Sequence, residues 1–168
     1  MKKNFLIVCS IILIGVLAFG FITTTMNGVN QSIKDLNKEI IDGDESYNKA
    51  VIDLNNENYD SAANELTNSV QSFQRARDIL NRLDHDDFRL NNQIYATYLN
   101  LTSQELEYKQ NASTLLLNAT IALKGGYVSS GNDYIYKAGY AMSDALNYQY
   151  QRANLVKDNP EKFENTTL

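Results

Sequence analysis

The sequence predicts an all-α protein: an N-terminal transmembrane helix followed by an antiparallel four-helix bundle built from two helical hairpins. Residues 5–22 form one apolar run. From Val29 onward, apolar residues recur every three or four positions in four successive stripes, the period of helices with one buried face. The chain holds a single proline, Pro160, and no alternating strand pattern. The expected organisation is a signal-anchor helix over residues 1–26, an extracytoplasmic helical domain over 27–160 and a flexible tail over 161–168.

The first element is "MKKNFLIVCSIILIGVLAFGFITTTM". Its apolar run is roughly 18 residues, close to the ~20 that cross the hydrocarbon of a bilayer. Thr23 to Thr25 can return their hydroxyls to helix carbonyls and extend the span over residues 5–25. Lys2 and Lys3 favour a cytoplasmic N-terminus, which leaves the domain outside the cell membrane. Ala18 and Gly20 also have the spacing of a signal-peptidase site, so cleavage near Gly20 stays open as an alternative. A lipoprotein reading of "LIVC" fails, because Val8 is too large just before Cys9. Both open readings export the domain.

The first stripe runs Val29, Ile33, Leu36, Ile40, Gly43, Tyr47, Ala50, Leu54, alternating four and three. Gly43 costs about 1 kcal/mol inside a helix, yet it falls on the seam, where a missing side chain admits a neighbour. A helix break at "DGDES" is the competing expectation. The second stripe is Ala62, Leu66, Ser69, Phe73, Ala76, Leu80, Leu83, ended by "LDHDDF", where Asp86 or Asp87 can cap the next helix. The third is Ile94, Tyr98, Leu101, Glu105, Tyr108, Ala112, Leu115, Ala119, Ala122, broken only by Glu105. "KGGYVSSGND" is expected to stop it. The fourth helix is expected from about Asp133 to Lys157, carrying Ile135, Ala138, Met142, Ala145 and Leu146. Short turns imply antiparallel neighbours.

Between the first two stripes lies "NENYDSAANEL", a turn in which Asn58 or Asp60 caps the second helix and Tyr59 wedges between the two. Residues 47–70 resemble the helix-turn-helix of tetratricopeptide repeats. Ala50, Tyr59 and Ala62 stand where that family sets its helix crossing, with Leu66 at its next apolar site. Lys49 and Asp53 depart from the family pattern, and the match does not recur at a period of ~34 residues. The resemblance implies protein or peptide binding. "SFQRARD" (72–78) and "QYQRANL" (149–155) echo each other 77 positions apart, which suggests two hairpins side by side.

Several functions are excluded by composition. The net charge is -5. Residues 1–26 hold Lys2, Lys3 and no acid, so the rest has 13 bases against 20 acids, or -7. Such a domain repels phosphate backbones, and nucleic acid is not an expected partner. One cysteine builds neither a disulfide nor a thiolate cluster. His85, the only histidine, lies in "LDHDDF", a poor ligand set for zinc. "DGDESYNKAVID" starts like a calcium loop, but Tyr47 stands where glycine is needed and Asp53 where a bidentate Glu is needed. No Glu-x-x-His pair exists for a di-iron bundle, and "KGGYVSSGN" lacks a phosphate-loop ending. No catalytic residue, cofactor or metal site is expected.

Two groups of residues point to surface roles. Tyr134, Tyr136, Tyr140, Tyr148 and Tyr150 cannot all face inward on one helix, and the remainder suit a partner helix or wall sugars. Asn30, Asn100, Asn111, Asn118 and Asn165 begin Asn-x-Ser/Thr triplets, candidate glycan sites on an exported domain. Asn100, Asn111 and Asn118 are 11 and 7 positions apart, near whole helical turns, so they share one flank. The expected function is that of a non-catalytic, membrane-anchored scaffold or adaptor meeting an unknown envelope protein or peptide. The alternative is an exported binding protein for wall polymer or a small ligand. A homodimer is compatible with either.

Overall fold

The computed structural model describes residues 29–85 and 93–163. The expected membrane helix, its cleavage site, the capping residues Asp86 and Asp87, and Asn165 lie outside them. The described chain is helical: α1 (Val29–Asn55), α2 (Tyr59–His85), α3 (Gln93–Lys124), α4 (Val128–Asp158) and the single turn α5 (Pro160–Phe163). There is no strand among the described residues.

The apolar stripes become the buried faces. Leu36, Tyr47, Ala50, Ala62, Leu66, Phe73, Ala76, Ala112, Ala119, Met142 and Ala145 are fully buried. α1 runs unbroken through "DGDES", so the break expected there as an alternative does not occur. Gly43 explains why: a Cβ on it would lie 2.5 Å from Phe73 Cε1. The ring crosses α1 at the one residue that leaves it room.

α4 begins at Val128, about a turn earlier than the glycine-rich stretch suggested. Only Gly126 takes up the left-handed backbone, at φ 81°, so the chain re-enters helix as soon as that reversal is made. "SSGND" is therefore helix, and Gly131 in it meets Leu123 closely.

Consecutive helices pack antiparallel. Ser61 meets Asp53 and Arg75 meets Glu39; Asp60 meets Lys124 and Arg77 meets Gln110; Tyr148 meets Tyr108 and Arg152 meets Glu105, so in each pair one helix descends as the other rises. α1 packs on α2, α2 on α3 and α3 on α4, with a smaller contact of α1 on α3. α1 and α4 form no comparable pair, so the four helices zigzag in an open row.

The two hairpins are the same unit. Asn58 N donates to Asp53 O at 2.9 Å and Tyr127 N to Ala122 O at 2.8 Å; Ala62 N donates to Asn58 O, and Gly131 N to Tyr127 O, both at 2.9 Å. Each turn holds one left-handed residue, Glu57 (φ 61°) and Gly126. Superposing the turns sets Glu57 on Gly126, 69 positions later. Every buried position of α1 then falls on a buried position of α3, and those of α2 up to Leu80 do the same on α4, Ile79 excepted. The 77-position echo is out of register with this. It would match Arg75, half exposed and paired with Glu39, to Arg152, which is paired inward.

The core has two apolar parts. One, near the turns, gathers Tyr47, Leu54, Leu66, Leu116 and Met142. The other, towards the far end, gathers Leu36, Phe73, Leu80, Tyr98 and Leu106. Phe163, in the segment expected as a tail, closes the far end, edge-on to Tyr95 at 5.3 Å. Its turn is tied by the Tyr95 hydroxyl, which donates to Lys162 O.

Candidate functional site

Between the apolar parts, each helix contributes polar side chains at matching height. Asp44 from α1 accepts from Lys109 Nζ of α3 at 2.7 Å. Lys109 also pairs with Glu105, one turn before it, at 2.9 Å. Glu105 in turn takes Arg152 of α4 in a fork, at 2.8 Å to Nε and 3.3 Å to Nη2. Arg152 Nη1 then donates to the Tyr98 hydroxyl at 3.1 Å. Lys109 and Glu105 are fully buried, and two acids balance two bases. Beside them, the hydroxyls of Ser69 and Ser113 meet at 2.9 Å, and Ser69 donates to Gly43 O.

Burial drives these groups apart in pKa. It pushes the Asp44 carboxyl up, and Lys109 only partly opposes it. Glu105 feels the same burial, but Arg152 and Lys109 together hold it below the usual carboxylate value. Lys109 loses hydration on burial, yet Asp44 and Glu105 outweigh that and raise it. The signs in acid oppose each other. Glu105 stabilises the fold above its ordinary range and stops doing so as pH falls. Asp44, with its folded pKa raised, favours the fold increasingly as pH falls. Asp44 Oδ1, Gln149 Oε1 and the Tyr47 hydroxyl make no protein hydrogen bond.

The first hairpin, which lends Asp44 to the layer, is apolar at four of the equivalent positions. At the positions equivalent to Glu105, Lys109, Gln149 and Arg152 it has Leu36, Ile40, Leu80 and Leu83, all buried. A buried ion network seldom adds stability over an apolar core, because desolvation offsets the attraction. What it adds is register. Sliding α4 along α3 by one turn would bury Glu105 and Lys109 without Arg152, so only one alignment matches every charge.

Sequence reasoning caught one member of this layer. Glu105 stood out as the break in the third stripe, but counting in threes and fours then lands on Tyr108, which is half-buried, while Lys109 is the fully buried residue. An acid on a seam with a base four residues later was the available signal. Asp44 and Arg152 lie 65 and 43 positions from Lys109 and have no local signature.

The tyrosines divide. Tyr134 packs half-buried on the core, and Tyr148 stacks on Tyr108 with centroids 5.6 Å apart. Tyr136 (49% exposed), Tyr140 (75%) and Tyr150 (63%) lie on the outer side of α4, which no described helix covers.

The three triplets on α3 also divide. Asn100, Asn111 and Asn118 are exposed, while Thr102, Ser113 and Thr120 are buried and donate to Tyr98 O, Lys109 O and Leu116 O. Residues two apart on a helix sit ~200° apart around it. The 11 and 7 spacing is therefore that of the seam, displaced by two. Asn30 lies in α1.

Residues 42–53 are continuous helix, a shape that cannot wrap a calcium ion. His85 is the last residue of α2, and no group of three His, Cys, Asp or Glu able to hold a metal occurs among the described residues. No described helix is long and apolar enough to cross a membrane. No protein-family model matches the chain, and neither curated proteins nor solved structures provide a match. Fold and site together define an all-α domain of two equivalent antiparallel hairpins with a buried charge layer across their middle.

Proposed function

We propose that this is a non-catalytic scaffold, held in the cell membrane by residues 5–25 with its N-terminus cytoplasmic and its helical domain outside. It meets an envelope protein through the outer side of α4. The observation that carries this reading is the exposure of Tyr136, Tyr140 and Tyr150 on the side of α4 away from α3. Large amphipathic rings of this kind supply contact area at low entropic cost. The apolar run at residues 5–22, with Lys2 and Lys3 before it, supports the anchor and its orientation. The charged side chains of the interior bind one another, which suits a rigid platform more than a reaction centre.

A photo-crosslinking amino acid at position 140 of the full-length chain, in membranes of its own cells, tests this. The expected result is a light-dependent adduct with a membrane or envelope protein, lost from the Tyr136→Ser, Tyr150→Ser background. A chain that gives no adduct, and sediments with purified wall material until soluble sugar releases it, would replace this reading with that of a wall-polymer binder.

A further inference from the structure

The repeat of one hairpin in the other says what the open sides of the row are shaped to receive. Within the chain, α2 seats α3 through Arg77, which donates to Gln110 Oε1 at 3.0 Å, and through Gln74, which accepts from Gln110 Nε2 at 3.0 Å. Asp60 and Lys124 close the same interface near the turns. Shifted by the 69-position register, Arg77 falls on Leu146, Gln74 on Ser143 and Gln110 on Ile41. Asp60 falls on Ser129, and Lys124 on Asn55. Among the described residues, the side of α4 that corresponds to the α3-binding side of α2 has no helix on it, and the side of α1 that corresponds to the α2-binding side of α3 has none either.

We infer that the chain assembles head to tail, α4 of one copy seating α1 of a second copy as α2 seats α3 within one chain. This rests on the reading of α4's outer side as a docking face and names its occupant. The residues brought together are chemically compatible. Ile41, 39% exposed on α1, meets half-buried Leu146 and exposed Ser143, so an apolar contact replaces a polar one. Asn55 meets Ser129. None of these pairs joins like charges. Gly139, at the position Val70 holds in α2, leaves open space where its side chain would be. Because the two faces differ and lie on opposite sides of the row, the contact is heterologous and builds a line of copies. With residues 5–25 in a bilayer, that line runs along the membrane surface.

The test is directional disulfide crosslinking of the full-length chain in detergent, with Cys9→Ser to remove the native thiol. Chains carrying Ile41→Cys and chains carrying Ser143→Cys are oxidised separately and then mixed. Both positions are exposed, and circular dichroism verifies the fold. The expected result is a species of twice the chain mass in the mixture only, and a ladder of higher multiples when one chain carries both cysteines. Self-crosslinking of the Ser143→Cys chain alone would overturn the inference in favour of a two-fold α4 pair. A single-chain mass at every concentration, with no crosslink, would also overturn it. If that happens while position 140 still captures another protein, the docking face stands and its occupant is not a second copy.

Discussion

Replacing Lys109 with Met is expected to destabilise the domain by about 3–5 kcal/mol, the range for breaking a buried ion network at one member. The side chain is fully enclosed, and its ammonium is the link between Asp44 and Glu105, at 2.7 and 2.9 Å. Without it, Asp44 keeps no side-chain partner, and Glu105 depends on Arg152 alone. The ammonium also lies 5.9 Å from the Phe73 ring centroid, so the loss extends to the α1–α2 crossing. Thermal unfolding followed by circular dichroism measures it. Lys137→Met is the control: Lys137 pairs with Asp133 in solvent, and its loss should leave the midpoint unchanged. Equal midpoints for the two variants would mean that the buried layer is not coupled to folding.

Gly43→Ala is expected to cost about 1–2 kcal/mol net, overpacking against Phe73 outweighing the helix propensity that alanine restores. The added Cβ would sit 2.5 Å from the ring. Phe73 is fully buried among core residues. The second hairpin shows the solution to the same crossing with volumes exchanged: Ala112 stands at the position of Gly43 and Met142 at that of Phe73, both fully buried. The double variant Gly43→Ala, Phe73→Met should therefore be more stable than the sum of its singles predicts, by about 0.5–3 kcal/mol of coupling. Strict additivity would mean that the two hairpins do not pack alike.

These two regions also mark what could and could not be read from the sequence. The role of Gly43 was legible because it depends on position within one stripe, and the stripe is set by helical period alone. The turn between Asn55 and Tyr59 was legible because polar residues interrupt both stripes there. "DGDES" was ambiguous, since acids and a glycine in a row suit a loop as well as a helix; a ring 30 positions away decides it. The start of α4 was placed too late because two glycines, two serines, another glycine and an Asn all favour turns, while the backbone needs a left-handed residue only at Gly126. The charge layer was mostly hidden. A lysine on a helix is ordinarily solvated, and Lys109 is buried only because Asp44 and Glu105 await it there. The glycan triplets were read as a flank pattern, and the structure traces their spacing to Thr102, Ser113 and Thr120 on the core face.

The buried charges of Asp44, Glu105, Lys109 and Arg152 set register and are not needed for stability. The first hairpin supplies four of the residues for the test, at 105, 109, 149 and 152; Ser at 44 comes from the second hairpin, and Phe at 98 only removes the hydroxyl. The variant is Asp44→Ser, Tyr98→Phe, Glu105→Leu, Lys109→Ile, Gln149→Leu, Arg152→Leu, which removes the layer whole and leaves no buried charge behind. Ser at 44 copies Ser113, whose hydroxyl is satisfied by Lys109 O one turn earlier. Its thermal midpoint in the full-length protein should equal or exceed that of the native chain, a gain of up to about 1–4 kcal/mol. A lower midpoint, or loss of a cooperative transition, would show that the charges hold the fold together and would contradict the account.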